Sequence, residues 1–141
     1  MRVSIYQIDD LAPGCLIPYV EQGVSAGFPS PALDFEDLKI DLNTELIKHP
    51  MSTYYGRVSG VSMKGAGIDD GDLLVIDKSL EPTDGKIAVC FIDGEFTAKR
   101  IRIKNRTVIL YPENDDYSPI TVGPDNDFVV WGIVTYVIKS L

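Results

Sequence analysis

The alternation of apolar and polar residues predicts a chain that is mostly β-strand after about residue 50. Six runs rich in β-branched and aromatic residues are separated by turn residues. They are Thr53–Ser59, Leu73–Asp77, Lys86–Ile92, Glu95–Lys104, Arg106–Tyr111 and Phe128–Ile138. Asp93-Gly94, between the third and fourth runs, is typical of a two-residue hairpin, because both central residues of a type I′ turn take positive φ. The last run is apolar in both phases, which predicts a strand covered on both faces.

The first 35 residues differ, because four prolines and three glycines lie among them. Such a density of these residues predicts a flexible N-terminal arm over residues 1–35, with at most a short strand near Val3 to Ile8. Asp41 is placed to cap a short helix that ends before Pro50. The expected fold is therefore mostly β: a curled sheet or partial barrel of about six to nine strands over residues 36–141, with one short helix.

The charge balance argues against direct nucleic-acid binding. The chain has 13 basic and 21 acidic residues, which gives a net charge of −8. Neutralising phosphates supplies most of the affinity of DNA-binding proteins, so their binding domains usually carry a basic face. Any role at DNA is therefore expected to run through protein partners.

Membrane insertion, secretion and metal binding are also disfavoured. The longest apolar run, Phe128–Val137, is too short to span a bilayer, and no apolar segment of a signal peptide precedes Ala26. Cys15 and Cys90 stand in no metal-binding spacing. The sequence predicts a cytoplasmic protein without a disulfide, metal or cofactor.

Several familiar motifs are incomplete. Residues Gly60–Ala66 have the glycine spacing of a phosphate loop but lack its Gly-Lys-Ser/Thr end, and they lack the second glycine of a nucleophile elbow. Asp69, Asp70 and Asp72 miss the spacing of a calcium loop and predict a solvated turn. His49 is the sole histidine, so a Ser-His-Asp triad would depend on it alone.

A serine can be activated without histidine where a neutral lysine accepts its proton. A lysine with an ordinary pKa of about 10.4 then needs a shift of about 3 units, and burial can supply about 3–5. Lys99 shares its predicted strand face with Ile101 and Ile103, which favours burial. Taken singly, Lys99 is also typical of an edge lysine that reaches solvent, and Ser62 of a turn residue.

Taken together, these residues resemble a known family. Ser59–Met63 (SGVSM) resembles the segment around the nucleophile of the LexA and UmuD peptidases, and Gly94–Arg100 (GEFTAKR) resembles their strand that carries the general base. Ser62 and Lys99 stand 37 positions apart, as in that family. Ala26-Gly27 resembles the bond that these proteins cut in themselves.

This resemblance covers roughly residues 24 to 138 and implies a serine endopeptidase that acts on itself. The roles it implies are Ser62 as nucleophile, Lys99 as general base, the backbone N–H groups of Val61 and Ser62 as oxyanion hole, Ala26-Gly27 as the cleaved bond and Val24 as the anchor of the substrate arm. It implies no cofactor and no metal.

The residues before Ala26 are too few for a helix-turn-helix domain, so the expected branch is UmuD-like. That branch implies the SOS response, a homodimer, and cleavage stimulated by the RecA–single-stranded DNA filament. It also implies that the cut form is the accessory subunit of an error-prone, UmuC-like Y-family polymerase, with the sliding clamp as a further candidate partner. Two alternatives stay open: a non-catalytic module that docks a polymerase or clamp, and a repressor fragment without its DNA-binding half.

Overall fold

The computed structural model describes residues 1–8, residue 14, the backbone of 16–18, and residues 39–141. The predicted roles of Val24, Ala26 and Gly27 fall outside these residues. The described strands are β1 (Arg2–Gln7), β2 (Leu16–Pro18), β3 (Lys39–Asp41), β4 (Thr53–Ser59), β5 (Leu73–Asp77), β6 (Ile87–Ile92), β7 (Glu95–Lys104), β8 (Thr107–Tyr111), β9 (Ile120–Thr121) and β10 (Phe128–Ile138). The helices are α1 (Leu42–Leu46) and two 3₁₀ helices, Pro50–Ser52 and Lys64–Ala66.

The chain forms two compact units, one built from residues 1–8 and 49–141 and the other from residues 9–48. In the smaller unit, β2 pairs antiparallel with β3, and α1 follows β3 directly. The Asp41 carboxylate accepts a hydrogen bond from the Asn43 N–H at 3.2 Å and thereby caps α1. The predicted short helix and its cap are confirmed.

The larger unit is one antiparallel sheet of eight strands in the order β1-β4-β5-β10-β6-β7-β8-β9. β1 lies opposite β4 over its whole length, from Arg2 against Ser59 to Gln7 against Tyr54. β1 also meets β7, where Arg2 lies opposite Thr97. The sheet therefore closes into a barrel of six strands, β1, β4, β5, β10, β6 and β7. Closure pairs strand edges that an open sheet would expose. The mostly β fold is confirmed.

Two apolar clusters cover opposite faces of the sheet, because successive strand residues point to opposite sides. The first contains Val3, Val58, Met63, Ile68, Leu74, Ile76, Val89 and Ala98. The second contains Ala88, Cys90, Ile101, Leu110 and Ile133. β6 and β7 contribute to both clusters, so the strand that carries Lys99 is covered on both faces over its middle residues.

Most local predictions agree with the structure, and one does not. Asp93 and Gly94 have φ values of 48° and 88°, as the predicted hairpin requires. The prediction that β10 is covered on both faces is wrong, because Gly132 and Ile133 are its buried residues, whereas Tyr136 is 43% exposed. β10 is central because its backbone pairs with β5 and β6, and that pairing does not require its side chains to be covered.

The buried carboxylate of Asp77 organises the end of β5. It is 4% exposed and accepts hydrogen bonds from the Ser79 N–H at 2.8 Å and the Ser79 hydroxyl at 2.6 Å. It also lies 2.6 Å from His49 Nδ1 and accepts from the Ser52 hydroxyl at 3.3 Å. Burial alone would raise the pKa of Asp77, but the hydrogen bonds from Ser79 and His49 lower it.

We expect Asp77→Ala to reduce the free energy of unfolding by about 2–3 kcal/mol, because several donors lose a buried charged acceptor. Urea unfolding monitored by Trp131 fluorescence measures the change. Asp125→Ala, at an exposed position, is the matched control and should change stability by less than about 0.5 kcal/mol. Equal effects of the two substitutions would contradict a stabilising role for Asp77.

Candidate active site

Ser62 lies in the loop between β4 and β5, in a segment named here the Ser62 turn, residues 60–67. Gly60 and Gly67 take φ values of 105° and 78°, a left-handed conformation that glycine adopts without steric cost. The Asp70 carboxylate accepts a hydrogen bond from the Gly60 N–H at 2.8 Å and fixes the start of the turn. The Ser62 side chain is fully buried as a result of this chain reversal.

Lys99 reaches this serine from β7. Strand pairing places Lys99 opposite Ala88, on the same face as Ile101 and the second apolar cluster. Its side chain is 5% exposed, and Nζ lies 2.7 Å from Ser62 Oγ, within hydrogen-bond distance. Two buried side chains 37 positions apart are thus brought into direct contact.

Burial lowers the pKa of Lys99 below its ordinary value, since an ammonium group loses hydration there. A hydrogen bond with the α-amino group of Met1 and the negative charge that Cys90 would carry as a thiolate oppose this shift. Burial, the larger cause, and the charge of Lys99, a smaller one, together lower the pKa of the Met1 amine to about 5. Burial raises the pKa of the Cys90 thiol to about 12. Both neighbours are therefore uncharged at neutral pH, and no described residue forms an ion pair with Lys99.

The chain after β8 holds the Ser62 turn in place. The Glu113 N–H donates to the Ser62 carbonyl at 2.8 Å, and the Gly65 N–H donates to the Glu113 carbonyl at 2.6 Å. The Asn114 side-chain amide donates to the Val61 carbonyl at 2.9 Å. A Cβ on Gly65 would lie 2.7 Å from the Glu113 carbonyl oxygen, so this approach requires glycine.

No sequence motif points to Glu113 and Asn114. Their local sequence, Pro-Glu-Asn-Asp-Asp, predicts a turn and nothing more, because their contacts lie about 50 residues away in the chain. Their position follows from the pairing of β7 with β8, in which Arg100 lies opposite Tyr111. That register brings the residues after β8 next to the strand of Lys99.

The other candidate groups do not join this site. The described partner of His49 is Asp77, whereas that of the Ser62 hydroxyl is Lys99. The prediction of a solvated acidic turn is wrong for Asp72, which is 5% exposed and pairs with Lys139. Burial alone would raise the pKa of Asp72, but the hydrogen bonds from Lys139 and the Asp69 N–H lower it.

The described residues contain neither a candidate metal site nor a candidate membrane-spanning helix. No group of three or more His, Cys, Asp or Glu side chains among residues 1–8, 14 and 39–141 is arranged to hold a metal ion. Among the helices in that part of the chain, none is long and apolar enough to cross a membrane.

A barrel-like β fold with a buried serine–lysine contact agrees with the comparison to protein families. The family model described as Peptidase S24-like matches residues 18–135. The chain therefore belongs to the peptidase S24-like family, which includes self-cleaving serine peptidases.

Individual relatives narrow this assignment. Protein MucA of Salmonella typhimurium is 41% identical over 137 residues, which cover 96% of this chain and 93% of MucA. Protein ImpA of Shigella flexneri is 42% identical over 121 residues, 86% of this chain and 82% of ImpA. The LexA repressor of Idiomarina loihiensis is 37% identical over 93% of this chain but 62% of its own length. Within the family the chain is thus a UmuD-type protein of the LexA/UmuD group, and the resemblance seen in the sequence is confirmed.

Proposed function

We propose that this protein is a serine endopeptidase that cleaves its own Ala26-Gly27 bond, with Ser62 as nucleophile and Lys99 as general base. The observation that carries the proposal is the 2.7 Å contact between Lys99 Nζ and Ser62 Oγ. Both side chains are buried, and burial lowers the pKa of Lys99, which favours the neutral amine that a general base requires. A serine activated by a neutral lysine needs no histidine.

The reaction proceeds in two steps that share one base. Lys99 accepts the Ser62 proton as Oγ attacks the Ala26 carbonyl carbon, and the N–H groups of Val61 and Ser62 hold the oxyanion. The tetrahedral intermediate collapses, Lys99 protonates the departing Gly27 amine, and an ester joins Ser62 to Ala26. Lys99 then deprotonates a water molecule, which hydrolyses the ester and regenerates the Ser62 hydroxyl.

The geometry of the Ser62 turn supports the oxyanion role. In the part of the chain that the structure describes, the N–H groups of Val61 and Ser62 donate to no backbone carbonyl and to no side chain. Both can therefore serve a developing negative charge. In the substrate arm, Val24 would anchor in an apolar pocket, while the small side chains of Ala26 and Gly27 let the bond approach the serine.

We also propose the wider role that UmuD-type proteins imply. The cut form, residues 27–141, would act in the cytoplasm as a homodimeric accessory subunit of an error-prone, UmuC-like Y-family polymerase, with the sliding clamp as a further partner. The RecA–single-stranded DNA filament would stimulate cleavage by favouring the cut-competent arm conformation, which is a shift of populations. The net charge of −8 supports action through proteins and not through direct nucleic-acid binding.

The purified full chain tests this proposal. We expect incubation at alkaline pH, or with an activated RecA filament at neutral pH, to yield two fragments, residues 1–26 and 27–141, identified by intact-mass measurement. Fragments with other ends would contradict the assigned bond. A chain that stays intact under both conditions would favour the alternative of a non-catalytic module that docks a polymerase or clamp.

A further inference from the structure

We infer that Asn114 is a positioning residue of the self-cleavage reaction: its side-chain amide fixes the peptide that precedes Ser62 and so directs the Ser62 N–H toward the oxyanion. This inference rests on the function proposed above. Asn114 lies outside the segments that carry the serine and the lysine. It acts through the backbone of the Ser62 turn, without contact to the reacting atoms.

The planarity of the peptide unit couples the orientation of the Val61 carbonyl to that of the Ser62 N–H. The Val61 carbonyl and the Ser62 N–H belong to one trans peptide, so they point in opposite directions. The Asn114 amide holds the Val61 oxygen at 2.9 Å on one side, which directs the Ser62 N–H to the other side. The neighbouring peptide is held in the same way, because the Glu113 N–H donates to the Ser62 carbonyl at 2.8 Å.

The group that holds the peptide is itself fixed. Asn114 Oδ1 accepts a hydrogen bond from the Asp116 N–H at 3.0 Å, which orients the side-chain amide. Glu113 forms an ion pair with Arg100, and Arg100 also donates to the Gly85 carbonyl at 2.7 Å. Arg100 follows Lys99 in β7, so the serine and the lysine are both tied to the Glu113–Asn114 segment.

Without the Asn114 donor, the only hydrogen bond that the described residues still donate to the Val61 carbonyl comes from the Lys64 N–H, at 3.2 Å. That bond lies within the Ser62 turn itself, so it cannot hold the peptide against the chain after β8 as Asn114 does. A displacement of about 1 Å in a catalytic group can cost about a hundredfold in rate. The burial of Lys99 and its contact with Ser62 do not involve Asn114, so the pH at which the base loses its proton should stay the same.

Two substitutions separate the two contacts of the Asn114 side chain, in which its amide donates to the Val61 carbonyl and its Oδ1 accepts from the Asp116 N–H. Asn114→Ala removes both groups, whereas Asn114→Asp keeps an oxygen for the Asp116 N–H and loses the donor to Val61. The control is Asn126→Ala, because Asn126 also accepts a backbone N–H through its Oδ1 and donates through its amide, in its case to a carboxylate. Its Oδ1 accepts from the Gly123 N–H at 3.0 Å, and its amide donates to Asp93 at 3.0 Å.

The experiment measures first-order self-cleavage of the full chain across the alkaline range, together with thermal unfolding of each variant. We expect both Asn114 variants to lower the plateau rate about tenfold to a hundredfold, with an unchanged pH midpoint. Asn126→Ala should lose a similar amount of thermal stability and keep the wild-type rate. If Asn114→Ala does not fold, the plateau rate of Asn114→Asp alone tests the inference.

Three results would overturn the inference: a wild-type plateau rate in Asn114→Asp, an equal loss of rate in Asn126→Ala, or a shifted midpoint with an unchanged plateau. Failure of the proposed function gives a different result. In that case the wild-type chain itself is not cut between residues 26 and 27. If the wild-type chain is cut and the Asn114 variants cut at the wild-type rate, the inference is wrong and the proposed function stands.

Discussion

Replacing Ser62 by alanine is expected to leave a folded chain whose self-cleavage at Ala26-Gly27 falls by at least about a thousandfold, because no other group in the site can form the ester intermediate. Lys99→Met should have the same effect, because it removes the base and keeps a side chain of similar length. The measurement is the fragment mass spectrum after prolonged alkaline incubation, quantified against the intact chain.

Stability separates a loss of chemistry from a loss of fold. Lys99→Met should unfold at the same or a higher urea concentration than wild type, because it removes a buried amine that has no described ion-pair partner. Exposed residues of β4 and β7 supply controls: Ser59→Ala and Lys104→Ala should cut at the wild-type rate. Continued cutting of the Ser62→Ala chain at Ala26-Gly27 would remove Ser62 from its proposed role.

The rate of self-cleavage is expected to rise with pH, by about tenfold for each unit below the pKa of Lys99, and to level off above it. The sign follows from the direction of the shift: burial lowers the pKa of Lys99, and the reactive form is the neutral amine that gains population as pH rises. The Met1 amine, with a pKa of about 5, is neutral throughout this range and should add no second step.

Single-turnover rates of the full chain from neutral to alkaline pH measure this profile. Lys99→Arg is the sharpest comparison, because a guanidinium stays protonated over the whole range and cannot accept the serine proton. That variant should be inactive at every pH. A flat wild-type profile, or activity of the arginine variant, would exclude Lys99 as the general base.

The sequence predicted those parts of the fold that depend on local pattern. Strands β4, β5, β7 and β10 begin and end where alternation predicts, and Asp93-Gly94 forms the expected hairpin. Side-chain burial was less predictable: β10 is apolar in both phases, yet Tyr136 is exposed, because burial depends on what packs over a strand.

The site was predicted in part, for a similar reason. Ser62 and Lys99 were paired through their spacing and the family resemblance, and the structure places them 2.7 Å apart. Asn114 had no comparable signal, because its partner Val61 is 53 positions away and the contact depends on strand register. The closure of the barrel by β1 could not be predicted from local sequence either, since it depends on pairing with strands more than 45 residues further along the chain.

β1 lies on the N-terminal side of the proposed cut and yet belongs to the barrel, where Val3 is 3% exposed and Arg2 pairs with Glu95 at 3.0 Å. Cleavage after Ala26 would turn this strand from a tethered segment into a separate peptide. The binding of β1 to the barrel would then depend on concentration and weaken on dilution. In the uncut chain, by contrast, the tether keeps β1 at a high effective concentration. The cut form would begin as a two-chain complex. The lifetime of that complex would decide when the edge of β4 opens to another strand.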